Sequence, residues 1–227
     1  MRSRMAKHQL LNWNIAGLPR WLWWIKGLRF LDGRYRLISR ILAETDFVCL
    51  QEAFRHRGAL KGKKLVGGVP WAWIGGDKKS GLMMMAREEP LEPPREGDFK
   101  ATTISRGDFL AQKGWLAVKF SFGWLLTTHL DAGSDRASLR ARKKQLKQLV
   151  NALTDMDRPI VLAGDFNLSV RRSGDVELLQ SFLTETGLEI ILHHGKDLIM
   201  AQGIAPEGAE VFENEKLSDH SRLVARI

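Results

Sequence analysis

Asp165 and Asn167 stand two residues apart at the end of the apolar run 160–163. Side chains two apart on an extended segment share a face, so a carboxylate and a carboxamide are delivered side by side. Such a pair suits hydrolysis: one group orients or deprotonates a water while the other holds it, or both face a hard metal ion. An Asx turn closing an ordinary strand uses the same residues, so the pair gains meaning only from the rest of the chain. Other apolar runs are bordered by polar residues too: Asn14, Glu52, His129, and Asp219 with His220. Brought together, their carboxylates would repel and rise in pKa unless a cation neutralised them. The oxygen-rich set Glu52, Asn14 and Asp219 suits Mg²⁺ or Mn²⁺, whereas zinc would recruit histidine or cysteine directly. No serine or cysteine stands out as a covalent nucleophile.

The elements that must position these groups follow from periodicity. Residues 8–15 read as a strand, and 34–45 as a helix with Leu37, Ile38, Ile41 and Leu42 on one side. Further strands are expected at 46–50, 71–74 and 82–86, and the proline-rich stretch 88–97 reads as a surface loop. Residues 114–120 and 124–129 form a hairpin through Ser121-Phe122-Gly123. The longest helix, 135–153, carries Leu139, Leu146, Leu149, Val150 and Leu153 at helical spacing. Its other side reads as a basic face of Arg136, Arg140, Arg142, Lys143, Lys144 and Lys147. After the run 160–163 come a helix at 176–184 and strands at 188–192, 198–202 and 222–227. Helices alternate with strands, but hairpins intervene, so the expected fold is α/β with mixed sheets covered by helices. In such folds strand ends collect functional side chains from distant parts of the chain.

A length of 227 residues fits one domain, 1–227, with a core of its own. The balance of 35 basic against 26 acidic residues, a net +9, favours polyanions: nucleic acid or the anionic face of a membrane. The single cysteine, Cys49, excludes an intramolecular disulfide framework and fits a reducing compartment. No secretory signal is evident, and the greasy segment 21–31, broken by Lys26, Gly27 and Arg29, falls short of the roughly 20 apolar residues a spanning helix needs. A cytoplasmic protein is expected. Trp21, Trp23 and Trp24 in that segment suit either a covered core or an interfacial, base-stacking loop.

Asn12-Trp-Asn-Ile-Ala-Gly-Leu18, Leu50-Gln-Glu52, Thr128-His-Leu130, Gly164-Asp-Phe-Asn167 and Ser218-Asp-His220 occur in an order that resembles the endonuclease/exonuclease/phosphatase superfamily. Each motif is weak alone; together they span residues 12–220. The resemblance implies two mixed β-sheets packed face to face and flanked by helices, a four-layer α/β sandwich. It also implies hydrolysis of phosphate esters with a divalent metal at one edge of the sandwich. Under it, Glu52 is the principal metal ligand, Asn14 a second, and Asp219 orients or shares the ion. Asp165 activates the attacking water, Asn167 positions it, and His129 and His220 contact the phosphate. Asp197, in Lys196-Asp-Leu-Ile199, resembles the aspartate that orients the final histidine, although this segment departs from the usual pattern.

Substrate divides the readings. Arg140, Lys143 and Lys147 on the basic helix suit a nucleic-acid backbone, whose phosphates attract Lys and Arg without regard to sequence. Gln112-Lys-Gly-Trp115 and His129-Leu-Asp-Ala-Gly133 are similar to sphingomyelinase-like and small bacterial branches; under that resemblance segment 21–31 suits membrane contact, and the alternative is a phospholipid phosphodiesterase or another phosphatase of the superfamily. Nucleic acid is placed ahead, and no obligate protein partner is inferred. An inactive binding module on the same scaffold would be expected to lack Glu52, Asp165 or His220, and all are present.

Overall fold

The computed structural model describes residues 8–17, 34–54, 65–66, 68–76, 80–100, 103, 112–213 and 217–227. The tryptophan-rich segment 21–31 lies outside them. The strands are β1 (Gln9–Asn14), β2 (Phe47–Gln51), β3 (Leu65–Val66), β4 (Val69–Pro70), β5 (Trp73–Gly76), β6 (Met83–Ala86) and β7 (Arg95–Asp98). They continue with β8 (Gly114–Phe120), β9 (Gly123–His129), β10 (Ile160–Asp165), β11 (Glu189–His194), β12 (Asp197–Gln202), β13 (Gly208–Phe212) and β14 (Arg222–Arg226). Three helices occur among the described residues: α1 (Arg34–Leu42), α2 (Arg136–Thr154) and α3 (Ser173–Thr186).

Two six-stranded sheets carry the fold, in the orders β13-β14-β1-β2-β6-β5 and β11-β12-β10-β9-β8-β7. Each has one parallel pair at its centre, β1 with β2 and β9 with β10, and every other pairing within them is antiparallel. A parallel pair needs a crossover, and α1 and α2 lie in the two connections. The central strands are buried on both faces, which is why they read as unbroken apolar runs.

The core has three layers of contact. Leu10, Phe47, Cys49 and Met84 of the first sheet meet Val118, Leu125, Val161 and Ile199 of the second. On the outer side of the first sheet, Ile38 and Leu42 of α1 pack on Trp13, Val48 and Met85. On the outer side of the second, Leu146, Leu149 and Leu153 of α2, with Phe182 of α3, cover Leu126, Ile160 and Leu162. The architecture is therefore the expected helix–sheet–sheet–helix sandwich.

Three expectations are corrected. The end of the stretch read as a surface loop is β7, an edge strand paired to β8 from Arg95↔Ala117 to Asp98↔Gly114. β13 was not expected at all: it is an almost wholly exposed edge strand, so no inward-facing apolar residues mark it. Arg142, read as part of the basic face of α2, is buried and ion-paired with Asp175 of α3 at 3.0 Å.

Candidate active site

The C-terminal ends of both parallel pairs lie at one edge of the sandwich. Asn14 ends β1 opposite Gln51 of β2, which places Glu52 next in line. Asp165 ends β10 between His129 of β9 and Asp197 of β12. A Cβ at Gly164 would collide with the Thr128 carbonyl oxygen, so only glycine allows β10 to approach β9 this closely. Ser218 Oγ donates to the Asn14 carbonyl at 2.6 Å and Trp13 Nε1 to the His220 carbonyl at 3.0 Å. These bonds fasten the Ser-Asp-His segment to the end of β1.

Asp165 is the hub. Its Oδ2 accepts from Asn14 Nδ2 at 3.0 Å and lies 3.4 Å from His129 Nε2 and 3.8 Å from His220 Nε2. Its Oδ1 accepts the Asn167 backbone N–H at 3.0 Å, while Asn167 Nδ2 donates to the Leu130 carbonyl at 3.0 Å. Burial opposes the Asp165 charge, but His220, His129 and Lys113 outweigh it and hold this carboxyl at about 2.

His220 and Asp197 form a tight pair, Nδ1 to Oδ2 at 2.7 Å. Burial disfavours the imidazolium, yet Asp197 and Asp165 more than compensate and raise His220 to about 10. Burial likewise lifts Asp197, to about 6, against the pull of the His220 charge. At neutral pH the pair is carboxylate and imidazolium, and Nε2 is left facing the site as a donor.

Lys113, inside the segment Gln112-Lys-Gly-Trp115, is a functional candidate to which the sequence assigns no role. It is 1% exposed, and its Nζ lies 2.8 Å from His129 Nε2. Lysine is almost never fully buried without a partner, and its position just before β8 gave no sign of this depth. The contact fixes the placement of the His129 ring beside Asp165.

Backbone strain gathers at the same edge. Among the described residues, the non-glycine residues at positive φ are Ala16 (45°), Glu52 (53°) and Asn167 (51°). Each costs about 1–3 kcal/mol, and each follows the C-terminal end of a central strand. Polar bonding within and between the sheets holds the edge together: Gln51 Nε2 donates to Asn12 Oδ1 on the neighbouring strand and to Thr127 Oγ1 of the other sheet, both at 2.9 Å.

The donor chemistry fits a hard divalent cation. Glu52 is half-buried and Asp219 exposed, and Asn14 Oδ1 accepts one bond, from the Ala16 N–H at 3.0 Å, leaving a second lone pair. Both imidazoles at this edge have protein partners, and Cys49 is buried with its thiol pushed well up by desolvation, so among the described residues of the edge neither imidazole nor thiolate is favoured as a ligand. Asp165, Asp197 and His220 also present ligand-type atoms within 4.8 Å of one another. The 2.7 Å bond inside that trio leaves no space for an ion between His220 Nδ1 and Asp197.

The predicted substrate residues stand apart from this cluster. Arg140, Lys143 and Lys147 are exposed on α2, outside the second sheet, and Lys147 pairs with Glu185 at 3.2 Å.

The family model of the Endonuclease/Exonuclease/phosphatase family matches residues 11–220, and the chain belongs to that family of divalent-metal-dependent phosphoesterases. No curated protein matches it. A sphingomyelinase C from Streptomyces griseocarneus is similar at 15% identity and a TM-score of 0.65, covering 98% of this chain and 99% of that one. D. rerio TDP2 complexed with a single-strand DNA product is similar at 19% identity and a TM-score of 0.70, covering 97% and 98%. A Staphylococcus aureus beta toxin with bound magnesium ions is similar at 13% identity and a TM-score of 0.67, covering 97% and 99%. At these identities the likeness establishes the fold. Among the described residues no helix is long and apolar enough to cross a membrane.

Proposed function

We propose that this chain is a Mg²⁺- or Mn²⁺-dependent hydrolase of phosphodiester bonds that acts on nucleic acid. The convergence of Asn14, His129 and His220 on one buried oxygen of Asp165 carries the hydrolytic reading. Glu52, with Asn14 and Asp219, would hold the metal, which when bound supplies Lewis-acid stabilisation of phosphate oxygens. A carboxylate held as low as Asp165 serves best by accepting a hydrogen bond from the attacking water and aiming it. Asn167, tied to both Asp165 and the Leu130 carbonyl, positions that water. His220, charged and braced by Asp197, donates from Nε2 to a phosphate oxygen as negative charge grows there. His129, set by Lys113, faces the phosphate from the second sheet.

The substrate class rests on α2. Arg136, Arg140, Lys143 and Lys144 are exposed along a helix that begins seven residues after His129, so the basic row leads away from the site edge. Reversing Arg140 and Lys143 to Glu is expected to weaken DNA binding and flatten the salt slope by roughly one per lost phosphate contact. Turnover of a small chromogenic phosphodiester should stay unchanged. Unaltered DNA affinity at low salt would remove the support for nucleic acid.

A second reading, a phospholipid phosphodiesterase, draws on a different observation. Leu168, Val170, Leu179, Leu183 and Ile190 line an apolar cavity of about 220 Å³ beside the loop that follows Asn167. Sphingomyelin liposomes tested beside single-stranded and supercoiled DNA, each with Mg²⁺, separate the two.

A further inference from the structure

We infer that Arg172, locked by Asp175, is a positioning residue that sets the two loops carrying Asn167 and the residues after His129. The inference rests on the phosphoesterase reading of the site.

Arg172 precedes α3 and is about one-third exposed, while Asp175 and Arg142 are buried. Asp175 splits its carboxylate between them: Oδ2 lies 2.7 Å from Arg172 Nε and Oδ1 lies 3.0 Å from Arg142 Nη2. With both guanidinium groups ion-paired to Asp175, their Nη groups donate to backbone carbonyls of the site loops. Arg172 Nη2 donates to the Asn167 carbonyl at 3.3 Å and Nη1 to the Gly133 carbonyl at 3.1 Å. Arg142 Nη1 donates to the same Gly133 carbonyl at 2.9 Å and to that of Asp131 at 3.0 Å. The Asp175 Oδ2 atom also accepts the Ser169 N–H at 3.0 Å.

Every one of the backbone contacts falls on a residue within four positions of His129 or Asn167. Two of the clasped residues hold conformations that need holding: Asn167 at φ 51° and Gly133 at φ 112°. A Cβ on Gly133 would also strike Ser138 Oγ, so this loop has no slack toward α2. The planar fork of arginine can hold two carbonyls and a carboxylate in a fixed geometry, which the single ammonium of lysine cannot. The arrangement joins α2, α3 and both loops through charged hydrogen bonds, which are stronger than neutral ones. A shift of about 1 Å in a catalytic group costs roughly 10²-fold in rate, so the clasp acts on turnover through Asn167 and His129.

Asp175 and Arg142 are poor test sites, because both are buried and removing either breaks a buried ion pair. Arg172 is the better one. In the full chain, Arg172→Ala and Arg172→Lys are expected to lower kcat roughly 10- to 100-fold with KM held within about twofold. Millimolar ethylguanidinium should restore part of the loss in Arg172→Ala. Hydrogen exchange should rise at amides 130–133 and 167–169 while the core strands stay protected, and the exposed neighbour Arg171→Ala should change neither readout. Unchanged exchange in these loops overturns the inference, as does a kcat loss that appears only with exchange throughout the protein. If the wild type turns over no phosphodiester, the functional reading falls, and the exchange pattern still decides whether Arg172 positions the loops.

Discussion

Asn14 Nδ2 donates to Asp165 Oδ2 across 3.0 Å, although 151 residues separate the two in sequence. The bond joins the end of β1 in one sheet to the end of β10 in the other, so the site exists only when the sheets are packed. Because both residues act on one oxygen, their substitutions should be non-additive. Asp165→Asn is expected to lower kcat by roughly 10²–10⁴-fold. Adding Asn14→Ala should then cost far less than Asn14→Ala does alone. Full additivity in steady-state kinetics would mean that the two residues work independently.

Lys113 separates activity from stability. Its ammonium is buried beside His129, and burying a charge opposes folding unless its partners compensate. Lys113→Met keeps the side chain's length and removes a charge that helps hold Asp165 ionised, so kcat should fall by more than any change in thermal stability accounts for. Thermal melts and kinetics on the same preparation check this. A variant that loses stability and keeps kcat would make Lys113 a purely structural cation.

Metal dependence has a readout besides turnover. Mg²⁺ should raise the melting temperature of the wild type by binding the native state alone, and Glu52→Gln should abolish most of that rise together with hydrolysis. EDTA should silence the wild type, and Mg²⁺ or Mn²⁺ should restore it. Full activity in EDTA would sink the assignment of Glu52.

An acid-stability difference is expected away from the site. Asp157 accepts from Lys119 Nζ at 2.9 and 3.0 Å and from Trp124 Nε1 at 2.9 Å. The lysine bond first, then the indole bond, hold its carboxyl below the usual range. A depressed folded pKa contributes stability above the ordinary carboxylate value, about 3.9, and loses it as pH falls through the folded value. Asp157→Asn should therefore lower the melting temperature at pH 7, with the gap to the wild type closing as pH falls through the depressed folded value. A gap independent of pH would assign the effect to packing.

Much of this protein is legible in its sequence. Largely apolar runs bounded by turns located β1, β2, β8, β9 and β10, because strands buried on both faces carry mostly apolar residues. The same runs pointed to Asn14, Glu52, His129 and Asp165 as the polar residues that border them. β7 and β13 escaped because an exposed edge strand is held by backbone pairing, and backbone pairing leaves no pattern in side-chain type.

What the sequence determines by itself is the inventory: which donors, acceptors and charges stand at which strand ends, and that their oxygen-rich set suits a hard cation. Which of them meet was decided by tertiary structure. Arg142 and Lys143 are neighbours on one helix and look alike in sequence, yet one is buried against Asp175 and the other is exposed. Lys113 stands in the segment Gln112-Lys-Gly-Trp115, but nothing there names its partner until β8 and β9 pair and set it against His129. The physical reason is that local pattern records the solvent on each side of an element. The partner across a hydrogen bond depends on register and packing between segments as remote as Asn14 and Asp165, and no local pattern carries that.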